Sequence, residues 1–378
     1  MNIGINGYEA VVPRFGFDST TGLPNRVGSS EFCYQLLLGF SNSDKINNYT
    51  IFLPAKPSSD LPKENKNWKY DVFTSKKLWT LFGLSKKLSV HKNMMDVFFS
   101  PTHYLPLQAY VPSVIAILDV SYLYFPNLFK KKDLYQLRVW GRYSISNAKR
   151  IITISKSSKN DIIKAYGVNE AKINVVYPGI KQVSNVKFMD KNQLAKKFEI
   201  EGDYVLFVGT LQPRKNITRL IEAFSKIKQN DLKLVIIGKK GWQYEEILQA
   251  PGKFGVKERV RFLEGVSDED LPSFYKNALC FVLPSLYEGF GLPVLESMQY
   301  GCPVITSNIS SMPEAGGEGA LYVDPENVND IKDKIEDLVK NDKLRKELIK
   351  KGFEQVKKFS WEKTAKETLK ILEEVGGK

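Results

Sequence analysis

The sequence is poor in the side chains that build metal sites and disulfide frameworks. Its 378 residues include only two histidines and three cysteines, Cys33, Cys280 and Cys302, and no two cysteines form a CxxC pair. Such scattered ligands argue against a zinc site and against a disulfide framework. A reduced, cytoplasmic setting is therefore the natural expectation.

Long apolar runs and several well-known site motifs are also missing. No stretch of about 18 apolar residues occurs, so we expect no transmembrane helix. The N-terminal MNIGINGYEAVVPRF lacks the basic start, apolar stretch and cleavage site of a secretory signal. The chain has no GxxxxGK[ST] or GxSxG motif, and no GxGxxG follows a strand in the right context. These absences argue against P-loop, hydrolase and dinucleotide sites.

Positive charge is concentrated in one half of the chain. The net charge is +13, and residues 1–180 hold 23 Lys and Arg against 12 Asp and Glu. Such a surface would suit nucleic acid, an anionic membrane leaflet or a phosphorylated substrate. A Lys- and Asn-rich genome bias that serves only solubility explains the Lys content, but it explains the asymmetry less well. The chain carries no nucleic-acid-binding motif, so we expect no nucleic-acid partner.

Short apolar runs alternate with longer amphipathic stretches. We predict buried strands at 3–7, 50–54, 96–100, 114–118, 150–155, 173–179, 204–209, 233–238, 260–265, 279–284 and 303–307. Helical patterns lie at 29–40, 156–167, 217–229, 268–278, 294–301 and in the charged stretch from 330 onward. Apolar strands joined by helices indicate parallel sheets covered on both faces. The alternation of apolar runs and amphipathic stretches stops at 181–202. Because the chain is also too long for one typical core, we predict two doubly wound domains that meet in this stretch.

The loop VGTLQPRKN (208–216) has the composition of a phosphate site. A strand ends in Gly209, and Arg214 and Lys215 precede a helix for which Asn216 is the expected N-cap. A helix N-terminus with two cations beside it attracts anions, and Arg grips a phosphate bidentately. A solvated basic loop is the alternative; the order of strand, glycine, cations and helix favours phosphate.

The stretch YEGFGLPVLE (287–296) places two glutamates at the ends of a glycine-rich turn. Pro293 suits the first turn of a helix, so Glu288 would lie in the loop and Glu296 about one turn into the helix. Gly289 and Gly291 would let the backbone approach a ligand closely. We interpret one acid as holding a sugar ring and the other a ribose, with phosphates on the amides between them. Complementing the helix dipole is the alternative, and it suits Glu296 better than Glu288.

Two further strand ends carry weaker signals. Lys239 and Lys240 in GKKG (238–241) would either add charge to the phosphate site or only form a turn. We give these two interpretations equal weight. Ser267 and Asp270 form an imperfect capping box, for which a structural role is sufficient.

Three segments together resemble the retaining glycosyltransferases of family 4. They are VGTLQPRKNITRLIEAF (208–224), FLEGVSDEDLPSFYKNA (262–278) and PSLYEGFGLPVLESMQYGCPVITSNISSMPEAGGEGALYVDP (284–325). The spaced glutamates are similar to that family's E-x7-E motif, and residues 150–180 are similar to its run into the interdomain linker. The resemblance covers most of the chain, while residues 40–95 match poorly.

This resemblance implies an α/β GT-B fold: two Rossmann-like, doubly wound parallel-sheet domains facing an interdomain cleft. Residues 1–183 with 360–378 would form the acceptor-side domain, because the last helix would cross back onto it. Residues 184–359 would form the nucleotide-sugar-binding domain. The resemblance also implies retained anomeric configuration, a nucleotide-diphosphate sugar as donor substrate, no other cofactor and no metal.

Site roles are carried over residue by residue. Glu288 would contact the donor sugar, Glu296 would bind the ribose, and Lys215 would bind the diphosphate and stabilise the leaving group's charge. The family commonly has Arg directly after the glycine; Thr210 stands there, so Arg214 would substitute. The expected catalytic residues are Glu288, Lys215, Arg214 and Asp119. The expected donor-binding residues are Gly209, Thr210, Arg214, Lys215, Val266, Leu271, Glu288, Gly289, Phe290, Gly291, Leu292 and Glu296, with Gly28 from the first helix start and Val266 and Leu271 beside the base.

One position departs from the family pattern. In AILDVSYLYFP, Leu118 stands where the family often has a His near the donor sugar, while Asp119 is kept. Losing a hydrogen-bond partner from a buried sugar hydroxyl costs about 1–3 kcal/mol. Three explanations compete: the donor is a 6-deoxy sugar, His103 reaches in from the neighbouring strand end, or the enzyme is weak or inactive. We favour an active enzyme.

The acceptor side holds a basic, aromatic segment. LFKKKDLYQLRVWGRYSISNAKR (128–150) mixes five cations with Trp140; the cations are Lys130, Lys131, Lys132, Arg138 and Arg142. This pattern would place Lys and Arg on an anionic leaflet and suit a glycan or lipid-linked acceptor at the inner face of a membrane. An amphipathic helix with a solvated cationic face is the alternative; it is favoured for Trp140 and disfavoured for the Lys run.

The leading interpretation is a hexosyltransferase of surface polysaccharide synthesis with GDP-mannose as the first donor to test. A 6-deoxyhexose or UDP-sugar transferase of the same family, a non-catalytic sugar-nucleotide-binding subunit, and a sugar-nucleotide epimerase are the alternatives. The complete glutamate motif argues against the last two.

Overall fold

The computed structural model describes residues 1–12, 16–17, 21–75, 78–181 and 186–377. The chain divides into two compact units, Met1–Gly179 with Ser360–Lys378 and Ile180–Phe359. The predicted domain change between residues 183 and 184 lies outside the described residues. Each unit is an α/β sandwich around a parallel sheet.

Seven strands form the sheet of the first unit in the described part of the chain. They are β1 Asn2–Asn6, β2 Asn48–Leu53, β3 Trp68–Val72, β4 Val97–Ser100, β5 Ser113–Ala116, β6 Arg150–Thr153 and β7 Ile173–Val175. The sheet order is β3-β2-β1-β4-β5-β6-β7, and every described pair is parallel.

Six strands form the sheet of the second unit within the residues described. They are β8 Tyr204–Val208, β9 Lys233–Ile237, β10 Val260–Leu263, β11 Cys280–Leu283, β12 Val304–Ser307 and β13 Ala320–Val323. The order is β10-β9-β8-β11-β12-β13, again all parallel. Both sheets therefore have the doubly wound order of a Rossmann domain, and the predicted fold class is confirmed.

Helices cover the sheets. They are α1 Tyr8–Val11, α2 Ser29–Ser43, α3 Leu84–His91, α4 Ser121–Tyr124, α5 Lys131–Asn147, α6 Lys156–Tyr166, α7 Lys191–Phe198, α8 Ile217–Ser225, α9 Glu245–Lys253, α10 Leu271–Asn277, α11 Leu292–Gln299, α12 Met312–Gly316, α13 Val328–Lys340, α14 Asp342–Val356 and α15 Trp361–Gly376. No helix among the described residues is long and apolar enough to cross a bilayer.

Apolar side chains fill both faces of the first sheet. Ile5, Leu36 and Phe99 are buried on the face that α2 and α15 cover, and Phe98 and Ile151 are buried on the other. This two-sided burial explains why the strands read as continuous apolar runs.

The sequence did not predict β3 and β13. Both are edge strands, and in each some positions are only partly buried. Lys69 and Asp71 interrupt the apolar residues of β3, whereas β13 is a short apolar run, ALYV. The edge position alone does not explain the omission, because β7 and β10 are edge strands as well and were predicted.

Candidate active site

The loops after β8 and β11 lie side by side at the carboxyl edge of the second sheet. β8 and β11 are neighbours, and the chain continues to β9 on one side and β12 on the other. Crevices at such a reversal are where open α/β sheets bind ligands. The loop after β8 carries Arg214 and Lys215, and the loop after β11 carries Glu288.

These three charged side chains form one ion cluster. The Lys215 Nζ lies 2.5 Å from Glu288 Oε1, and Arg214 Nη1 lies 2.8 Å from Glu288 Oε2. Arg214 also donates to the carbonyl of Tyr287 at 2.6 Å. Lys215 and Glu288 are 8% and 6% exposed, so the cluster is largely withdrawn from water. A single carboxylate thus balances two cations here.

The cluster stays ionised because its members stabilise one another. Burial alone would raise the pKa of Glu288, but Arg214, Lys215 and the Ser285 hydroxyl lower that pKa to about 2. Burial lowers the pKa of Lys215, and the Glu288 carboxylate opposes that shift. Burying a charge is tolerable only when it is paired in this way.

Three serines hold Glu288 in place. The Ser285 hydroxyl donates to the Glu288 carboxylate at 2.7 Å. The Ser310 and Ser311 hydroxyls donate to its backbone oxygen at 2.8 and 2.9 Å. Ser285 and Ser311 are fully buried. The sequence prediction missed all three, because a serine in a loop carries no distinguishing signal.

Glu296 lies in the second turn of α11, close enough to Lys215 for the two charges to act on each other. Gly291 precedes the helix with φ +100°, and Pro293 occupies its first turn. Burial raises the pKa of Glu296 to about 7; the Tyr275 hydroxyl, which donates to the carboxylate at 3.4 Å, opposes that shift. Glu296 is thus an acid whose charge changes near neutral pH.

The backbone of the turn between the two glutamates requires a glycine. Gly291 has φ +100°, a conformation that residues with a side chain rarely adopt, and its Cα lies close to the terminal methyl of Met312. The Phe290 ring is buried and contacts Phe359 at 5.3 Å between ring centroids. Gly289 and Leu292 complete the turn, and Leu292 begins α11.

The loop after β8 differs in one detail from the expectation. Asn216 sits at the N-cap position of α8 but has φ +61° and makes no side-chain cap. Its amide instead donates to the carbonyls of Pro284 and Pro325 at 3.0 and 2.7 Å. Asn216 therefore ties the two site loops together, and the predicted capping role was wrong.

Other predicted residues of this unit lie around the same edge. Gly209 follows β8, and Gly238 packs so tightly on it that an added Cβ would lie 1.9 Å from the Gly209 oxygen. Thr210 is exposed. Lys240 pairs with Glu264 at 2.9 Å. The predicted base neighbours, Val266 and Leu271, are both partly exposed, and Leu271 begins α10.

The remaining predicted residues belong to the first unit; they are Gly28, Leu118, Asp119 and His103. Gly28 precedes α2 with φ +58° and is exposed. Leu118 is buried in the core cluster beneath α2. The Asp119 carboxylate accepts from the Ser121 N–H at 2.8 Å, which starts α4. His103 is partly exposed beside Tyr104, with 6.2 Å between ring centroids.

Comparison with known proteins agrees with this architecture. The family model for glycosyl transferases group 1 matches residues 190–355, and that for Glycosyltransferase Family 4 matches residues 51–182. The O-antigen chain mannosyltransferase B of Escherichia coli is 32% identical over 284 residues, which cover 72% of this chain and 73% of that protein. The O-antigen chain mannosyltransferase RfbU of Salmonella typhimurium is 32% identical over 56% of each.

A solved structure shares the fold. The sucrose-phosphate synthase of Thermosynechococcus elongatus superimposes with a TM-score of 0.73 at 19% identity, over 99% of this chain and 98% of that one. The two Rossmann-like units are thus those of the GT-B fold. The 32% identity to the E. coli mannosyltransferase B extends over more than two thirds of both sequences. The chain therefore belongs to the family 4 glycosyltransferases.

Proposed function

We propose that this glycosyltransferase transfers a hexose, with retention and without a metal, from a nucleotide-diphosphate sugar to a glycan or lipid-linked acceptor during surface polysaccharide synthesis. The observation that carries the proposal is the buried cluster of Glu288, Lys215 and Arg214 at the reversal of the second sheet.

The cluster suits a departing diphosphate. Negative charge grows on the leaving nucleotide as the sugar–oxygen bond breaks, and prepositioned cations stabilise that charge most where water is excluded. Lys215 and Arg214 meet that requirement. Glu288 keeps them ionised before the donor arrives and then offers its carboxylate to the donor sugar's hydroxyls.

Glu296 suits the ribose. Its carboxylate is 3.4 Å from the Tyr275 hydroxyl, and an ionised carboxylate can accept from both ribose hydroxyls. Val266 and Leu271 lie at the carboxyl edge of the same sheet, where an apolar surface would face the base.

GDP-mannose is the first donor to test, because the similar curated proteins include mannosyltransferases of O-antigen synthesis. Leu118 is buried at the position where the resemblance to the family implies a His, which makes a 6-deoxyhexose donor the second choice. A UDP-sugar, and a subunit that binds a sugar nucleotide without turnover, remain as outcomes of the same experiment.

A basic face of α5 suits an anionic membrane. Lys131, Lys132, Arg138 and Arg142 are exposed there, and Tyr135 beside them is 63% exposed. Trp140 is not on that face; its ring contacts Tyr104 at 6.1 Å. We propose that the cations, without Trp140, hold the enzyme at the inner leaflet near a lipid-linked acceptor.

The donor proposal is tested by thermal shift against GDP, UDP, dTDP and their hexose and 6-deoxyhexose forms. A ligand at 100 times its Kd should add about 2.7 kcal/mol to the free energy of unfolding. We expect one base to stabilise the protein, and Glu296→Ala to remove the shift while the exposed Glu326→Ala retains it. No shift with any nucleotide would refute the donor site.

Turnover is measured next, with the donor so identified. Proton NMR of the product reports the anomeric configuration, and EDTA tests the need for a metal. Inversion, or loss of activity that only a divalent ion restores, would overturn the corresponding part of the proposal. Nucleotide binding without turnover in the presence of membrane-extracted acceptors would favour the non-catalytic subunit.

The membrane proposal is tested by sedimentation with vesicles. We expect vesicles rich in anionic lipid to sediment more protein than neutral ones, and Lys131→Glu/Lys132→Glu to lose the difference. The pair Lys343→Glu/Lys346→Glu on α14 makes the same change in charge and should behave as wild type. Equal sedimentation on both vesicle types would end the proposal.

A further inference from the structure

The chain returns from the second unit to the first through residues 359–361, the sequence FSW, which we call the return segment. Phe359 is the last residue of the second unit, and Ser360 is the first residue of the returning part. Phe359 is 8% exposed. Ser360 caps α15, because its hydroxyl oxygen accepts from the Lys363 N–H at 3.2 Å. A side chain buried in the second unit is therefore directly joined to the cap of a helix in the first.

The start of the return segment packs on the turn between the two glutamates. The rings of Phe359 and Phe290 meet edge to face, with 5.3 Å between their centroids and 61° between their planes. Phe290 is 3% exposed and lies between Gly289 and Gly291. Since the two glycines have no side chains, Phe290 supplies the side-chain packing of these three residues. Phe359 thus supports the part of the turn that lies between Glu288 and Glu296.

The end of the return segment packs on α2 within the first unit. The Trp361 ring meets Phe32 with 6.0 Å between centroids and 64° between planes. Phe32 lies in the first turn of α2, and its N–H donates to the Gly28 carbonyl at 2.9 Å. The return segment therefore has one ring packed at the predicted donor turn and another packed at the start of α2.

The backbone of the return segment is also closely packed. A Cβ on Gly179 would lie 2.1 Å from the Trp361 nitrogen and 2.5 Å from the Ser360 carbonyl carbon. These are backbone atoms, which cannot move aside as the end of a flexible side chain can, so glycine is required at this place. The Thr364 hydroxyl donates to the Tyr177 carbonyl at 2.7 Å and fixes the first turn of α15 to the same stretch of chain.

Close packing of this kind makes a displacement at one end felt at the other. Protein interiors are dense and transmit strain, and coupling between sites is carried by packed side chains and rigid elements. A ligand that orders the turn at Phe290 would restrict the Phe359 ring. Because Ser360 is the one residue between Phe359 and Trp361, that restriction would extend to the start of α15.

We propose that Phe359 is a positioning residue for donor binding, and that donor binding orders the return segment through the contact of Phe290 with Phe359. The proposal rests on the proposed function, because it requires that the turn from Glu288 to Glu296 receives the donor. Phe359 acts through Phe290 and is not a catalytic residue. If Phe359 were only a core residue of the second unit, a bound nucleotide would leave the return segment unchanged.

Hydrogen–deuterium exchange of the full chain tests the proposal, with GDP and UDP as probes. A peptide covering residues 356–364 contains the N–H groups of Phe359 and Thr364, which donate to the carbonyls of Val356 and Ser360 at 3.1 and 3.0 Å. Their exchange reports local opening of the return segment. We expect saturating nucleotide to slow this exchange in wild type. We expect Phe359→Leu and Phe290→Leu, which keep an apolar side chain but remove the ring contact, to lose that slowing.

Nucleotide affinity gives a second measurement. Phe359→Leu should weaken nucleotide binding about two- to tenfold, which is the contribution of an aromatic pair beyond its buried area. Phe353→Leu is the matched control, because Phe353 lies on α14 and is 43% exposed. It makes the same chemical change six positions away, and we expect it to retain both the affinity and the exchange response.

The outcomes separate this proposal from the donor site itself. A thermal shift with nucleotide but no slowing of exchange in wild type would overturn the coupling and leave the donor site intact. Equal slowing in wild type and in the folded Phe359→Leu or Phe290→Leu variant would do the same. Absence of a thermal shift with every nucleotide in wild type would refute the donor site and this proposal with it.

Discussion

Ser310 and Glu288 exchange two hydrogen bonds. The Ser310 hydroxyl donates to the Glu288 carbonyl at 2.8 Å and accepts from the Glu288 N–H at 3.2 Å. Ser310 does so with φ +58°, a left-handed conformation that a residue with a side chain seldom adopts. A strained residue held against a charged site residue indicates that the fixed position of Glu288 matters more there than local backbone stability.

Ser310→Gly separates these two effects. Glycine accepts the left-handed conformation, which offsets much of the roughly 1 kcal/mol per hydrogen bond that is lost. We therefore expect little change in the free energy of unfolding and a fall in kcat, because Glu288 is no longer held. Gln243→Gly, at φ +57°, makes the same backbone change as a control and should leave kcat unchanged. An unchanged kcat in Ser310→Gly would show that the hydroxyl serves the fold alone.

The ion cluster predicts non-additive stability. Glu288→Gln leaves the buried Lys215 and the partly buried Arg214 without their carboxylate, and Lys215→Met leaves the carboxylate with Arg214 alone. Breaking a buried pair from one side costs about 3–5 kcal/mol. We expect the double variant to be less destabilised than the sum of the single ones, by about 0.5–3 kcal/mol. Urea unfolding of the four proteins measures this, and strict additivity would contradict the coupling seen in the structure.

Glu288 also predicts a loss of stability in acid. Its pKa is about 2 in the folded protein and near 4.5 in the unfolded chain, so the unfolded state binds the proton first. The stabilisation is complete above pH 4.5 and is lost as the pH falls toward 2, and it amounts to about 3 kcal/mol. Glu288→Gln should show a smaller decline of unfolding free energy over that range. Parallel declines in both proteins would argue against the low pKa.

Glu296 predicts the opposite trend near neutral pH. Its pKa of about 7 exceeds the ordinary value of 4.5, so the folded state holds the proton more tightly between those values. Stability from this group therefore decreases as the pH rises from 4.5 to 7. Glu296→Gln should flatten that part of the stability profile, whereas the exposed Glu326→Gln should not.

The same titration should govern nucleotide affinity. If the ionised carboxylate accepts the ribose hydroxyls, binding strengthens as the pH rises through 7 in wild type. Calorimetric titration of the nucleotide at pH 6 and pH 8 tests this. A variant Glu296→Gln with an equally steep pH dependence would assign the effect to another group.

Gly291 gives a prediction from its backbone conformation. Alanine there would have to adopt φ +100°, which residues with a side chain rarely do, and would also displace the terminal methyl of Met312. We expect Gly291→Ala to lower the free energy of unfolding by about 1–3 kcal/mol and to weaken nucleotide binding. Gly252→Ala in α9, where an added Cβ meets nothing within 4 Å, should be neutral or stabilising. Equal effects of the two changes would contradict the packing at the turn.

The sequence was sufficient for the parts of the molecule that depend on regular burial. β8 and β11 are buried on both faces, so each is a continuous apolar run, and the glycines and cations that follow them stand out. The pairing of Arg214 and Lys215 with one carboxylate could not be predicted, because Glu288 is more than seventy positions away and the spacing depends on how β8 and β11 pack.

The direction in which a side chain points was the second feature that the sequence could not predict. Asn216 was expected to cap α8 because Asn often does, but its amide bonds two carbonyls of distant loops instead. Trp140 stood in a basic segment and was considered for a membrane interface, yet its position on α5 turns it toward Tyr104. Both outcomes depend on tertiary neighbours that a local pattern does not contain.

The place of α15 has a consequence for synthesis on the ribosome. A Cβ on Gly39 of α2 would lie 2.5 Å from Ala365 of α15, and one on Gly376 would lie 2.3 Å from the sulfur of Met1. α15 is thus part of the core of the first unit, although it is translated after the whole of the second. During elongation the second unit is fully synthesised before α15 is made. The first unit begins to be made earlier, but its core can close only after α15 has been added.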